Sequence, residues 1–115
     1  MLTESNFLKF LNADLQGVEK SLMDNSSEES YPNIFILGLP RSGTTLLSQL
    51  LLNCLNFYCT NNLMARFWEV PLTGAFLSKL IIGQRKGTSY KSFYGKTDDI
   101  CEPNEFSWFW HNLLK

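Results

Sequence analysis

The sequence predicts an α/β fold: a parallel sheet with flanking helices, incomplete in this chain. Two local patterns point there. The apolar run Ile34-Phe35-Ile36-Leu37 reads as a buried strand, and it feeds a loop bounded by Gly38 and Gly43 that opens directly into an apolar helical pattern. Amphipathic helical stretches then lie on both sides of this strand–loop–helix unit. A doubly wound sheet needs several parallel strands, each joined through a helix. The chain offers one convincing strand at 33–37 and one short candidate at 57–60, so most of the expected sheet is missing from its 115 residues.

The remaining elements follow in order. Phe7, Leu8, Leu11, Leu15, Val18 and Leu22 recur at 3.6-residue spacing and predict one amphipathic helix over 3–23, capped by Thr3 or Ser5 and weakened by Gly17. Residues 24–30 are acidic and polar, and with Tyr31-Pro32 they read as a solvated linker into the strand. Residues 1–30 thus form a helix plus acidic linker, and 31–115 the main unit. The helix after the loop, about 43–55, carries Leu46, Leu47, Leu50, Leu51, Leu52 and Leu55 nearly all round, as expected of a helix buried beside a sheet.

Asn61-Asn62 reads as a turn or cap, followed by a short helix at 62–69. Pro71 suits the first turn of a new helix, 71–82, which Gly83 ends. Residues 84–99 are a long polar stretch with Arg85, Lys86, Lys91, Lys96, Tyr90, Phe93 and Tyr94, read either as a solvated surface loop or as one that admits a substrate. Glu102 and Pro103 are expected to begin a last helix whose stripe is Phe106, Phe109, Trp110, Leu113 and Leu114.

The loop carries the chemistry. A glycine-bounded turn at a helix start presents backbone N–H groups and the positive end of the helix dipole, which favours an anion such as phosphate. Gly38, four residues and Gly43 match the P-loop spacing, but Thr44 stands where a P-loop has Lys. That lysine is the main charge partner of a nucleoside triphosphate. Arg41 brings the positive charge instead, and its planar fork suits a phosphate or sulfonate oxyanion. A P-loop kinase or NTPase binding Mg·ATP is the rival reading that this substitution disfavours. The other rival is a non-enzymatic or inactive fragment.

At these residues the chain resembles a known family. Gly38-Leu39-Pro40-Arg41-Ser42-Gly43-Thr44-Thr45-Leu46-Leu47 is similar to the 5′-phosphosulfate-binding loop of sulfotransferases that use 3′-phosphoadenosine 5′-phosphosulfate (PAPS). Its P-R-S-G-T-T core is the form of the branch that includes many bacterial sulfotransferases and the protein-tyrosine sulfotransferases. Asn62-Leu63-Met64-Ala65-Arg66-Phe67-Trp68 followed by Pro71, and Glu102-Pro103-Asn104-Glu105-Phe106-Ser107-Trp108-Phe109-Trp110, resemble segments of bacterial members. The resemblance covers 32–115 and implies a P-loop-type parallel sheet, with 31–115 as the N-terminal part of the domain. It places the Arg and Ser that hold the 3′-phosphate beyond Lys115, in a longer enzyme.

The resemblance further implies PAPS as co-substrate, no metal, and a hydroxyl or amine acceptor on a carbohydrate, lipid, small molecule or peptide. Arg41, Ser42, Gly43, Thr44 and Thr45 are the expected donor-binding residues, their amides and hydroxyls holding the 5′-phosphate. The acidic base of protein-tyrosine sulfotransferases falls at Asn61 and Asn62 here, neither of which can abstract a proton. Bacterial relatives show a Glu-Pro-His-Glu-like run where this chain has Asn104 in place of His. Glu105 and Glu102, expected in the first turn of the last helix, are therefore the candidate bases, with stabilisation of that turn as their plain structural alternative. His111 and Glu69 are lesser candidates, and Arg66 and Trp68 are read either as acceptor-pocket walls or as packing.

Composition narrows the class. Hydrophobic residues make up 44% and charged residues 18%, with a net charge of −1, which suits a globular chain and gives no general affinity for nucleic acid. No apolar run reaches the ~20 residues of a membrane span. The first residues show no basic, signal-like pattern. Cys54, Cys59 and Cys101 are odd in number and lack metal spacing, so free thiols and a cytoplasmic location are expected.

Overall fold

The computed structural model describes residues 1–28, 32–55, 58–83, 90, 92, 96, 97 and 99–115. Its elements are helices: α1 (Glu4–Asp14), α2 (Gln16–Asp24), α3 (Thr44–Cys54), a 3-10 turn (Met64–Phe67), α4 (Pro71–Ile82) and α5 (Ser107–Leu113). None of them is long and apolar enough to cross a membrane. The expected parallel sheet does not form: among the described residues there is no strand, and the antiparallel bridge between Asn61 and Pro103 is isolated. A strand exists only through a partner's hydrogen bonds. Residues 34–38 find none among the described residues, and Ile34, Phe35 and Leu37 stay exposed instead of buried. The second candidate strand extends onto residues outside the described set. Its described end, Thr60, turns to Asn104 instead of to 33–37, its carbonyl accepting from the Asn104 N–H at 2.9 Å.

The predicted N-terminal helix is present but bent at Leu15 into α1 and α2. Thr3 caps it, its Oγ1 accepting from the Asn6 N–H at 3.2 Å. The apolar stripe faces inward only in part, since Leu8, Leu11, Leu15 and Leu22 are half-buried and Phe7 and Val18 exposed. The buried residues of this face are polar. Asn12 and Glu19 lie two helical turns apart on the same side. Asn12 Nδ2 donates to the Arg66 carbonyl at 2.9 Å, and its Oδ1 accepts from the Glu69 N–H at 3.1 Å. Glu19 receives the Leu72 N–H at 2.9 Å, and both the N–H and the hydroxyl of Thr73 at 2.8 Å.

Those last bonds explain how α4 begins. Pro71 occupies its first turn as predicted, and has no N–H to satisfy. The preceding residue is Val70, which has no capping oxygen and is completely buried. The orphan donors of Leu72 and Thr73 are capped across space by the Glu19 carboxylate, whose negative charge also meets the positive end of the helix dipole. Gly83 ends the helix at φ 65°, as its sequence position indicates. At Gly74 the helix lies so close to the 3-10 turn that a Cβ would stand 2.9 Å from Phe67 Cβ.

α3 matches its expected span, but its environment does not match. Leu52 and the amide side chain of Gln49 are buried, whereas Leu46, Leu47 and Leu50 are exposed, because among the described residues no sheet lies alongside to cover them. The last helix starts later than expected, at Ser107, so Glu102 and Pro103 precede it. Asn104 accounts for the delay. Its N–H and carbonyl bond Thr60, its Nδ2 donates to Asn62 Oδ1 at 2.8 Å, and its Oδ1 accepts from the Phe106 N–H at 2.7 Å. With these groups committed to a turn and to residues 60–62, helical geometry is displaced until Phe106, itself at φ 56°, has been passed. Of the expected aromatic and aliphatic stripe, Phe106 is buried, Phe109 half-buried, and Trp110, Leu113 and Leu114 exposed.

None of the three cysteines forms a disulfide; Cys54 is exposed and Cys101 buried. Burial pushes the Cys59 thiol up to about 11 from 9.0, partly offset by a backbone hydrogen bond.

Two outcomes follow from this packing. Glu19→Ala strands the Leu72 and Thr73 donors and lowers stability by about 2–3 kcal/mol, with Glu19→Gln losing less because one acceptor oxygen remains; urea unfolding followed by circular dichroism measures both. For Cys59, the raised folded value means that the native state holds its proton where the unfolded chain releases it. The contribution to stability is complete below pH 9.0 and declines as pH rises toward about 11. Mass-spectrometric mapping after iodoacetamide at pH 8 should show Cys54 labelled first and Cys59 labelled at a comparable rate only after unfolding.

Candidate oxyanion loop and family assignment

The loop predicted to take an anion joins the extended stretch 32–39 to α3. It reverses through a turn in which the Ser42 N–H donates to the Leu39 carbonyl at 3.2 Å. Two residues take left-handed backbone conformations: Arg41 at φ 61° and Gly43 at φ 90°. Gly43 adopts this without steric cost and serves as the N-cap of α3. Arg41 does not, and a non-glycine residue held there at the mouth of an exposed loop is an outlier of the kind that clusters at functional sites.

Gly38 has a different reason to be glycine. A Cβ there would stand 2.6 Å from Ser42 Oγ and 2.7 Å from Thr44 Cγ2. Both distances are too short for ordinary contact, so the missing side chain lets the loop fold back over its own start. The two glycines recognised from spacing thus perform separate jobs: one makes room and the other turns the chain.

α3 has no side-chain cap. Its first closing bond is the Leu47 N–H to the Gly43 carbonyl at 3.0 Å, and the N–H groups of Gly43, Thr44 and Leu46 meet no acceptor among the described residues. Unused donors at a helix start, with the dipole behind them, form an environment suited to an oxyanion. Arg41, Ser42 and Gly43 are exposed, and Thr44 and Thr45 half-buried, so the loop is open to solute. The amide of Ser42 is already engaged in the turn, which leaves its hydroxyl as the group available from that residue.

The two candidate bases separate. Glu102 is 2% exposed and sits in the joint with Asn62, whose N–H donates to its carbonyl at 3.1 Å. Glu105 is exposed, one residue before the N-cap Phe106. Neither lies in the first turn of α5, which starts at Ser107, so neither stands at a helix start as expected. The described hydrogen bonds around 101–106 run to residues 60–62, 97 and 99, and do not bring this segment to the loop. Asn61 caps the 3-10 turn through the Met64 N–H at 2.9 Å and donates to Ser78 Oγ at 2.6 Å, a structural use.

Trp68 and Glu69 line a cavity of about 320 Å³ together with Pro71, Phe109 and other residues at the α1–α2 bend and on α5. Arg66 is exposed and its carbonyl serves Asn12. His111 is exposed and makes an edge contact with the Trp108 ring at 6.3 Å. Most of the basic, aromatic stretch 84–99 lies outside the described residues; within it, the Tyr90 hydroxyl accepts from Asn53 Nδ2. Asn12 and Glu19, which fix the 66–73 segment, were given no role by the sequence. The signal was present as two polar residues inside an apolar helical stripe.

Comparison with known proteins gives a family for the chain. No curated protein and no solved structure matches the chain. The model of the sulfotransferase family matches residues 32–94, a stretch that begins with the extended run, contains the whole loop and α4, and spans more than half of the sequence. On that match the chain belongs to the sulfotransferase family.

Proposed function

We propose that this chain transfers a sulfuryl group from PAPS to a hydroxyl or amine acceptor, with the loop 38–45 holding the 5′-phosphosulfate of the donor. The observation that carries the reading is the loop itself: a backbone folded over Gly38, unused amides at the start of α3, and a guanidinium where no P-loop lysine exists. In this reaction the bond between sulfur and the 5′-phosphate oxygen breaks while a bond to the acceptor forms. Negative charge grows on the departing phosphate oxygen. The N–H groups of Gly43 and Thr44, the hydroxyls of Ser42, Thr44 and Thr45, and the Arg41 guanidinium would stabilise that charge. The acceptor's proton needs a base. Between the two candidates Glu105 fits better, because it is open to solvent, whereas Glu102 is enclosed in the joint with Asn62.

Titration calorimetry separates this donor from a nucleoside triphosphate. The protein is expected to bind adenosine 3′,5′-bisphosphate and to give no comparable heat with Mg·ATP. Arg41→Ala should lower labelled-sulfate transfer roughly 10²–10³-fold, with Arg41→Lys between it and the native protein. Equal activity in all three would remove Arg41 from the site. The base assignment has its own readout: Glu105→Gln should reduce kcat by roughly 10²-fold or more and leave the affinity for adenosine 3′,5′-bisphosphate unchanged. An unaltered kcat would exclude Glu105.

A further inference from the structure

Glu105 stands in the middle of a turn that is held from both sides. Asn104 Oδ1 accepts from the Phe106 N–H at 2.7 Å and so closes a turn around the residue between them. The Asn104 backbone is fastened to Thr60 twice, its N–H donating to the Thr60 carbonyl at 2.9 Å and its carbonyl accepting from Thr60 Oγ1 at 2.8 Å. Its Nδ2 donates to Asn62 Oδ1 at 2.8 Å, and Asn62 is itself held by the Thr97 and Asp99 carbonyls. On the far side, Phe106 is buried, left-handed at φ 56°, and stacked on Phe109 with ring centroids 4.8 Å apart. Cys101, Glu102, Pro103 and Phe106 are buried and Asn104 is half-buried, so Glu105 is the side chain that this run presents to solvent.

We propose that Asn104 is the positioning residue for Glu105, its side chain closing the turn that fixes where the carboxylate stands. This rests on the reading of Glu105 as the base. Three of the four bonds of Asn104 tie the segment to residues 60–62, whereas the fourth, from the Phe106 N–H, spans Glu105 and sets the direction of that one side chain. A base works only within hydrogen-bond reach of the proton it takes. On a free loop, backbone rotation would spread a carboxylate over many positions, and a displacement of about 1 Å costs up to roughly 10²-fold in rate. With the backbone pinned, the side-chain torsions of Glu105 are what is left to settle. The residue type fits this task. Asn carries an acceptor for the N–H two residues on and a donor for Asn62 in one short side chain. Asp keeps the acceptor and lacks the donor, and Gln carries both one methylene further out.

Labelled-sulfate transfer from PAPS to two probe acceptors tests this. Phenol needs a base at neutral pH, whereas 4-nitrophenol is largely ionised there and does not. Asn104→Ala should lower kcat toward phenol roughly 10–10²-fold, leave kcat toward 4-nitrophenol within about 3-fold, and leave the affinity for adenosine 3′,5′-bisphosphate unchanged. Asn104→Ser keeps an acceptor able to close the turn and should recover part of the loss. Added to Glu105→Gln, Asn104→Ala should cost nothing further. Unchanged phenol transfer in Asn104→Ala, equal slowing toward both phenols, or an additional loss in the double variant would overturn the positioning role while leaving Glu105 as base. Phenol transfer unchanged by Glu105→Gln, or absent in the native chain, would remove the base and this role with it. Amide relaxation measured by NMR gives a readout that needs no turnover. The Glu105 order parameter should lie near the rigid value of about 0.85 in the native chain and fall below about 0.6 in Asn104→Ala. A Glu105 amide already flexible in the native chain would also overturn the proposal.

Discussion

The arrangement of the helices depends on the Glu19 carboxylate at the start of α4. Three donors converge on it, two from the backbone and one from a hydroxyl, and they come from a segment more than fifty residues away. Asn12 does the same for the 66–69 backbone one step earlier. The N-terminal helices are therefore held to the 3-10 turn and α4 largely by polar side chains that complete backbone hydrogen bonding, with leucines packing at their flanks. Such joints are directional. They specify one register between the helices, because a shift by one residue leaves buried donors without acceptors.

A second polar joint organises the other end of the chain. Asn62 and Asn104 bond each other, and each also ties down a neighbouring turn: Asn62 through Thr97 and Asp99, Asn104 through Thr60 and Phe106. This joint withdraws Glu102 into the interior and leaves Glu105 outside, so two carboxylates three residues apart acquire different environments. Their difference arises from tertiary hydrogen bonding. Had the α5 pattern extended back to Glu102, both would have shared the same first turn and the same helix field.

The legible parts of the sequence were those whose cause is local. Pro71 and Gly83 bound α4 because one lacks an N–H and the other accepts a positive φ. Gly38 and Gly43 marked the loop for similarly local reasons, space and handedness. The sheet was misread because an apolar run states only that a segment avoids water. Whether it becomes a strand depends on a partner elsewhere, and residues 34–38 have none among the described residues. The start of α5 was misread because Pro103 and the acidic residues around it suggest a helix N-terminus, while Asn104 spends its hydrogen bonds on residues more than forty positions earlier. Glu19 was overlooked for the same reason: its partners cannot be named from its neighbours.

The loop 38–45 sits between these two kinds of information. Its shape is local, set by Gly38, Arg41 and Gly43, and survives without a flanking sheet. Its surroundings are not local: the stretch that leads into it is bare, and the helix that leaves it shows leucines to solvent. A left-handed Arg41 needs surrounding structure to hold it there. The turn bond from Ser42 to Leu39 and the close approach over Gly38 provide part of that restraint. Covering the 34–39 surface would provide more, because it would fix the chain on the side of the loop that the helix does not control. The exposed apolar face and the anion-suited loop are thus linked by chain continuity, and what covers the first will influence how firmly the second is held.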